Sequence, residues 1–430
     1  MKITRHTDPD FESTIASLET RGETVPEGVM EAVFEIVGEV RRRGDEAVAE
    51  YTLRFDDLDL GKAGMEIELG ELDRALEEIP ADERKILEEA AQSIREFHQR
   101  QVDESWTYEP SPGIKLGQKV TPIEKVGLYV PGGTAAYPSS VLMNAIPARV
   151  AGVGQVIMVV PTPGGKVNRI VLAAAAVAGV DRVFTIGGAQ AVAALAYGTR
   201  TVPRVDKIVG PGNIYVAMAK KVVFGDVDID MIAGPSEILI LADATADPVF
   251  IAADLLSQAE HDPLAYPILV TDDEDMLNRT FEETRRQLEL LPRQDIARQS
   301  LDSRGHLLLA GNMEQAISVV NRVAIEHLEL MVADPEKTLD SIKNAGAIFL
   351  GMYTAEALGD YLAGPNHVLP TGGTARFFSP LGVYDFIKRS SIICYDREAF
   401  LEKAGMVAQF ARLEGLEAHA RAVDLRVRKQ

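Results

Sequence analysis

From Val126 onward, short apolar segments alternate with longer Ala/Val-rich segments, and glycine or proline stands at the junctions. Apolar runs of four to six residues bounded by such residues are typical of buried strands, whereas the longer segments between them are typical of helices. Strands that alternate with helices in this way pair in parallel through crossover connections. The pattern therefore predicts an α/β protein built on parallel sheets.

The alternation forms two series, separated near residue 236. The first predicts strands at 126–130, 156–160, 183–186 and 207–209, with helices at 140–151, 167–178, 189–197 and from 213 onward. The second predicts strands at 237–241, 266–271, 306–309, 328–332 and 347–350, with helices near 247–259 and 314–323. Two α/β lobes are therefore expected, the middle one inserted into the outer one.

The two ends of the chain lack this alternation of strands and helices. Residues 1–110 are predicted to be helical, with amphipathic helices at 29–43 and 82–100. After Leu381 we expect a short polar linker and then a helical arm, with Asp396 as N-cap and basic residues, including Lys429, at its end. The predicted domains are an outer lobe (1–129 plus 237–381, with the N-terminal helices), an inserted lobe (130–236) and a dimerisation arm (382–430).

Composition narrows the classes of function. The single cysteine, Cys394, excludes an intrachain disulfide and a thiolate-rich metal site, and its apolar neighbours predict a buried thiol. A formal net charge of −21 argues against sequence-independent nucleic-acid binding. No apolar run reaches the roughly 20 residues of a membrane span, and the first residues lack the apolar segment of a secretory signal. A cytoplasmic location is the expectation.

Glu326 and His327 are adjacent ionisable residues beside the apolar run 328–332. A carboxylate next to an imidazole suits paired proton transfer. Of the seven histidines, four lie in polar, turn-rich contexts in the later part of the chain: His261, His327, His367 and His419. Their distribution indicates one composite site.

Several fragments offer nitrogen and oxygen ligands for a metal. Gln258 and His261 are three residues apart at the end of a predicted helix and can face the same way. Asp360 and His367 bracket a glycine–proline turn, whereas Glu414 and His419 lie on either side of a glycine in the arm. Together they suit a zinc site of imidazole and oxygen ligands. Taken singly, each fragment also fits an exposed acid or a hydrogen-bonded histidine.

Three glycine-rich turns follow strands of the middle lobe, at 131–133, 187–190 and 210–213. Such turns let backbone N–H groups and a helix N-terminus approach a dinucleotide pyrophosphate. None completes the GxGxxG fingerprint, since Ile214 and Tyr215 stand where the last glycine of the third turn is expected. The alternative is that these glycines only make tight strand-to-helix turns.

The chain resembles the L-histidinol dehydrogenase family over nearly its whole length. The stretches that carry the resemblance are GLYVPGG (127–133), AGPSE (233–237), SQAEHD (257–262), EHLE (326–329), GPNHVLPT (364–371), SPLGVYDF (379–386) and EGLEAHA (414–420). The resemblance implies two incomplete Rossmann-like lobes, lacking GxGxxG, and a homodimer in which the helical C-terminal arm crosses to the partner.

The resemblance also implies a role for each site residue. The implied zinc ligands, which would also contact substrate, are Gln258, His261, Asp360 and His419. The implied catalytic pair is Glu326 and His327, with His327 also on the substrate. Further implied substrate contacts are Ser236, His367 and Glu414, and implied NAD contacts are Tyr129, Gln190 and Asn213. One Zn²⁺ per subunit and two NAD⁺ per turnover are expected.

The implied reaction is the four-electron oxidation of L-histidinol through L-histidinal to L-histidine, in histidine biosynthesis. His327 would accept protons in both steps, and Glu326 would activate the water that adds to the aldehyde. The alternatives are a related zinc and NAD dehydrogenase of another small polyol, such as sulfopropanediol, and a zinc hydrolase. A catalytically silent α/β binding protein is a further alternative.

Overall fold

A computed structural model describes residues 1–22, 25–132 and 137–428. Gly133 of the first glycine turn and Lys429 of the basic end lie outside the described residues. The chain divides into two compact units, one made of Met1–Gln101 and Ile123–Phe386, the other of Val102–Pro122 and Ile387–Gln430.

The strands are β1 Lys2–Arg5, β2 Glu66–Ile67, β3 Trp106–Ser111, β4 Ile114–Pro122, β5 Lys125–Tyr129, β6 Gln155–Val159, β7 Arg182–Phe184, β8 Lys207–Val209, β9 Asp228–Ile229, β10 Glu237–Ala242, β11 Tyr266–Thr271, β12 His306–Leu309, β13 Ile325–Met331, β14 Ala345–Leu350 and β15 Ile387–Tyr395. The helices are α1 Phe11–Glu19, α2 Val29–Arg43, α3 Asp45–Asp56, α4 Leu60–Ala63, α5 Leu69–Glu78, α6 Ala81–Gln99, α7 Pro138–Ala151, α8 Arg169–Ala178, α9 Gly188–Tyr197, α10 Ile214–Val223, α11 Pro248–Ala259, α12 Glu274–Leu288, α13 Gln294–Arg304, α14 Met313–Val323, α15 Pro335–Leu339, α16 Glu356–Tyr361, α17 Arg397–Leu413 and α18 Glu417–Arg428. Short 3₁₀ turns occur at Pro163–Gly165, Thr374–Arg376 and Val383–Phe386.

The first sheet of the larger unit is fully parallel, in the order β1-β12-β11-β10-β13-β14. Every residue of β10, β11 and β13 is buried. Leu239 and Leu241 of β10 pack in the core formed with α1 and α14, whereas Ile238 and Ile240 pack in the core formed with α11 and α12. The sheet is therefore covered on both faces, as parallel sheets require.

The second sheet has the order β2-β7-β6-β5-β8-β9, and its strands are parallel except for the antiparallel edge strand β2. Helices α5 to α8 contribute to the core on one face, and α2, α3, α9 and α10 to the core on the other. The domain prediction assigned the N-terminal helices to the outer lobe, whereas in the structure α2 and α3 pack against this second sheet.

The smaller unit contains a three-stranded antiparallel sheet, β15-β4-β3, followed by the helical pair α17 and α18. The predicted polar linker after Leu381 is wrong, because β15 pairs with β4 along its whole length. The predicted burial of Cys394 is also wrong, since this side chain is exposed. Most of β15 is exposed in the chain, so its sequence lacks the apolar alternation that marks a half-buried strand.

Two further expectations need correction. The first 110 residues are not wholly helical, because β1, β2 and β3 lie among them. Strand β1 pairs with β12, about 300 residues away, and a partner so distant leaves no local pattern. Strand β13 begins at Ile325 rather than at residue 328, so Glu326 and His327 lie within it. By contrast, the predicted N-cap at Asp396 is confirmed, since its side chain accepts the N–H of Ala399 at 2.9 Å.

None of the helices in the described ranges combines the length and the apolar character that crossing a lipid bilayer requires.

Candidate active site

Strand β13 carries Glu326 and His327 next to each other, and both side chains are nearly inaccessible to solvent. The strand lies between β10 and β14, with His327 opposite Ile238 and Ala347. A Cβ atom on Gly346 of β14 would stand 2.6 Å from the carbonyl oxygen of Glu326. Only glycine therefore allows the backbone to approach the strand so closely at this point.

The imidazole of His327 is fixed by one hydrogen bond. Its Nδ1 lies 3.0 Å from the carbonyl oxygen of Glu237, which can only accept, so Nδ1 carries the proton. Its Nε2 has no hydrogen-bond partner among the described residues and lies 3.7 Å from Asp360 Oδ1 and 3.8 Å from Glu356 Oε1. The ring therefore presents Nε2 toward a pair of carboxylates.

Glu326 is also hydrogen-bonded to Glu237. Its Oε2 accepts the backbone N–H of Glu237 at 2.8 Å and lies 3.4 Å from His327 Nδ1. Burial raises the pKa of the Glu326 carboxyl, and the nearby imidazole partly opposes that shift. Burial alone disfavours a charged His327, but Glu326, Glu356 and Asp360 outweigh it and raise the pKa of this imidazole well above its ordinary value.

Gln258, near the end of α11, meets Glu356, the first residue of α16, at the same place. The hydrogen-bond network orients the amide of Gln258, because with its NH₂ group toward Glu356 it donates to Oε1 at 2.7 Å and to Oε2 at 2.9 Å. The hydroxyl of Ser257 donates to Oε2 of the same carboxylate at 3.1 Å. Glu329 accepts the backbone N–H of Glu356 at 3.0 Å and so anchors the start of α16.

Asp360 lies one helical turn after Glu356 on α16. Burial would raise the pKa of its carboxyl, but the nearby imidazoles of His327, His367 and His261 outweigh burial and lower it. The turn leading to His367 depends on Gly364, which has a φ of +104° and whose Cβ would meet the carbonyl oxygen of Ser93 at 2.6 Å. The Nε2 of His367 is buried and lacks a hydrogen-bond partner within the described ranges.

His327, Glu356 and Asp360 each offer a ligand atom, and these atoms lie within 4.8 Å of one another. Nitrogen and carboxylate oxygens are suitable zinc ligands, and the unpartnered Nε2 atoms of His327 and His367 leave the site able to accept one. This trio shares only Asp360 with the ligands that the resemblance implies. Gln258 is hydrogen-bonded to Glu356 of this trio. His261 contributes to the lowered pKa of Asp360.

Glu356 did not figure in the sequence-based site. A signal for it exists, since it stands four residues before Asp360 on α16 and therefore shares a helix face with it. Acid pairs at this spacing are common on exposed helices. Only burial, at 3% exposure, distinguishes Glu356.

The expected NAD contacts lie at the carboxyl ends of strands in the second sheet. Tyr129 is the last residue of β5, and its hydroxyl accepts the N–H of Gly188 at 3.0 Å. Gln190 lies in the first turn of α9, with an amide oxygen that has no partner in the described part of the chain. Asn213 caps α10 by accepting the N–H groups of Tyr215 and Val216.

Three more residues were expected from the resemblance. Ser236 directly precedes β10 and, through its carbonyl, accepts the N–H of Tyr266. Glu414 and His419 belong to the smaller unit, where both are exposed.

Comparisons with known proteins identify the family. The family model described as Histidinol dehydrogenase matches residues 19–427. The chain belongs to this family. It is 57% identical over 428 residues to the histidinol dehydrogenase of Syntrophotalea carbinolica, covering 100% of this chain and 99% of that protein. It is also 57% identical over 421 residues to that of Pseudomonas aeruginosa, covering 98% and 96%.

A solved structure agrees with these sequence relatives. The crystal structure of histidinol dehydrogenase from Elizabethkingia anophelis superimposes with a TM-score of 0.93 at 35% identity, covering 99% of this chain and 98% of that one. The mixed α/β fold with parallel sheets is therefore that of a histidinol dehydrogenase family member.

Proposed function

We propose that this chain is a zinc-dependent, NAD-linked oxidoreductase that converts L-histidinol through L-histidinal to L-histidine, the activity for which its relatives are named. The observation that carries the proposal is how the two ring nitrogens of His327 are hydrogen-bonded. Its Nδ1 is committed to the carbonyl of Glu237, and its Nε2 is unpartnered among the described residues, beside Asp360 and Glu356. A buried imidazole that is held at one nitrogen, with the other nitrogen not engaged in a hydrogen bond, suits a group that takes up and releases protons.

The residues that would hold the metal are Gln258, His261 and Asp360, with His419 from the arm of a second subunit. When bound, zinc would accept the imidazole and amino nitrogens of histidinol as ligands and so orient its carbinol carbon. Glu356 would bind the NH₂ group of Gln258 and so leave the amide oxygen as the ligand atom. The oxygen and nitrogen donors of this set suit that ion.

The residues that would contact the nucleotide are Tyr129, Gln190 and Asn213. Support comes from the strand order β7-β6-β5-β8-β9, which is that of a Rossmann-like lobe. Strands β6 to β9 lie within the proposed inserted lobe 130–236, and β5 directly precedes it. When bound, NAD⁺ would supply the hydride acceptor for each oxidation, so two molecules would be used per turnover. The unpartnered, buried amide oxygen of Gln190 supplies an acceptor for a polar group of the ligand.

In the first step, Nε2 of His327 would take the hydroxyl proton of histidinol. Its Nδ1–H stays bonded to Glu237, which keeps the ring in the reactive tautomer. In the second step, Glu326 would take a proton from the water that adds to the aldehyde, and His327 would again accept a proton. Ser236, His367 and Glu414 would hold the polar groups of the substrate.

We also propose a homodimer in which the arm 382–430 reaches the partner's site. The smaller unit carries large exposed apolar side chains, including Met406 (69%), Phe410 (63%) and Leu413 (78%). An apolar surface of this kind on a helix is typical of a protein interface. Glu414 and His419 are exposed in the same unit and are free to act on another subunit.

The decisive experiment measures NADH formation by purified protein supplied with L-histidinol and NAD⁺, with and without a zinc chelator. We expect two NADH per histidine formed and loss of activity with the chelator. Oxidation of sulfopropanediol in place of histidinol would redirect the proposal to another alcohol. Hydrolysis of an ester or amide without NADH would contradict it.

A further inference from the structure

Arg21 and Glu237 form a bidentate ion pair inside the larger unit. Arg21 Nε donates to Glu237 Oε1 and Nη2 donates to Oε2, both at 2.6 Å. The two side chains are only 1% and 2% exposed. A buried pair seldom adds much net stability, because removing both charges from water is costly. Its geometry, which is fixed by two parallel hydrogen bonds, therefore needs a different explanation.

The other donors of Arg21 bind the turn that leads into β13. Nη1 donates to the carbonyl oxygens of Leu18 at 2.6 Å and Val323 at 2.7 Å, and Nη2 reaches that of Ala324 at 3.4 Å. Ala324 has a φ of +49°, in the left-handed region. That conformation is strained for a non-glycine residue, so it needs support from its surroundings. Glu326 follows two residues later.

Glu237 connects this anchor to both proposed catalytic side chains. Its backbone N–H donates to Glu326, and its backbone carbonyl accepts Nδ1–H of His327. Its carboxylate also accepts the N–H of Gly372 at 3.0 Å. Moving Glu237 would therefore move the hydrogen-bond partners of both residues together.

We propose that Arg21 is a positioning residue, which sets the orientation of Glu326 and His327 by clamping Glu237 and the Val323–Ala324 turn. The inference rests on the proposed function for its catalytic consequence. Arg21 is hydrogen-bonded to neither residue and acts on β13 by two routes, through Glu237 of the neighbouring strand β10 and through the turn that precedes β13. A displacement of about 1 Å at reacting groups is enough to reduce a rate on the order of 100-fold.

The test compares Arg21→Lys with Arg322→Lys. Lysine at position 21 keeps the positive charge but loses the planar fork. Arg322, whose side chain is 36% exposed, is a control for the contact between α14 and α1, because it also joins these helices, through Glu12 and Glu19, but is not hydrogen-bonded to Glu237. We expect Arg21→Lys to lower kcat for histidinol roughly 10- to 100-fold. The KM for histidinol and the zinc content should stay within about twofold, and Arg322→Lys should leave kcat within the same range.

A second variant keeps the inference testable if Arg21→Lys does not fold. Glu237→Gln keeps the backbone groups and the side-chain shape while weakening the clamp, so it should also lower kcat with little change in KM. An unchanged kcat in either folded variant would overturn the inference. So would a loss of kcat that is fully accounted for by lost zinc or by unfolding at the assay temperature, since Arg21 would then serve stability alone.

An independent measurement does not depend on turnover. The chain has seven histidines, so ¹⁵N-histidine labelling gives a sparse spectrum in which His327→Asn identifies the His327 signals. We expect Arg21→Lys to change the Nδ1 and Nε2 shifts of His327, whereas Arg322→Lys leaves them in place. An inactive wild-type protein would refute the proposed function, and unchanged His327 shifts in Arg21→Lys would refute the positioning role.

Discussion

With its NH₂ group toward Glu356, the amide of Gln258 places its nitrogen 2.7 Å from Oε1 and 2.9 Å from Oε2 of that carboxylate, so both oxygens accept from the same NH₂ group. Glutamine is an ambiguous ligand, because its side chain can present either an oxygen or an NH₂ group. Glu356 removes that ambiguity by binding the NH₂ group. The oxygen is then the end available to a metal.

Replacing Glu356 by glutamine should weaken zinc binding. A glutamine at 356 offers one accepting oxygen instead of two, so one of the two bonds to Gln258 is lost. Loss of such an outer contact typically costs about 10- to 100-fold in metal affinity. Chelator competition followed by metal analysis measures the change. Ser257→Ala is the control, since it removes only the 3.1 Å bond to the same carboxylate; equal losses in the two variants would contradict this role.

Replacing His327 by asparagine should lower kcat for histidinol by about 100- to 10,000-fold, the usual contribution of a general base. The asparagine amide can still donate to the carbonyl of Glu237, so the strand should keep its structure. Steady-state rates of NADH formation, together with circular dichroism, check the prediction. A folded variant with more than a tenth of wild-type kcat would contradict it.

Replacing Glu326 by glutamine should slow the second step more than the first. The glutamine oxygen still accepts the N–H of Glu237, so only the ability to take a proton from water is lost. Rates measured separately with histidinol and with histidinal reveal the difference. Equal loss with both substrates would mean that Glu326 acts in some other way.

Subunit mixing tests whether His419 acts on the partner. His419→Asn and His261→Asn should each lose zinc and activity as homodimers. After unfolding and refolding together, about a quarter of the sites should be intact if each site takes His419 from the other chain, because half of the dimers are mixed and each has one complete site. If His419 acts within its own chain, mixing should restore no activity.

His306 predicts a pH dependence of stability that is unrelated to catalysis. Burial lowers the pKa of this imidazole to about 4, from an ordinary value of 6.5. The unfolded chain therefore binds the proton more readily than the native state, and stability is lost as pH falls from 6.5 toward 4. The free energy of unfolding of wild type, measured with denaturant, should fall relative to that of His306→Leu as pH decreases over this range. A difference independent of pH would contradict the prediction, and His6→Leu, at an exposed position, is the control.

Sequence analysis predicted the strands and helices that are determined by their own local sequence. Strands β11 and β12 are short apolar runs, and their predicted bounds match the structure. Strand β15 was missed because most of it is exposed, and β1 because its partner β12 is far along the chain. A strand of that kind is defined by its pairing rather than by its composition.

The same distinction applies to the site. Glu326 and His327 are recognisable because they are adjacent in sequence. Glu356 and Arg21 are not, since their importance arises from contacts with Gln258 and Glu237 that sequence spacing cannot reveal. Burial of a charged group was the missing information, and it becomes visible only once the fold is assembled.

The pairing of β15 with β4 has a consequence for biosynthesis of the protein. Residues 387–395 are synthesised long after residues 114–122, yet they form the edge against which those residues must pair. Until then, β4 has only β3 beside it and carries unsatisfied backbone groups along its other side. This sheet therefore cannot close until residues 387–395 have been synthesised, and a chaperone that shields β4 during that interval should increase the yield of folded protein.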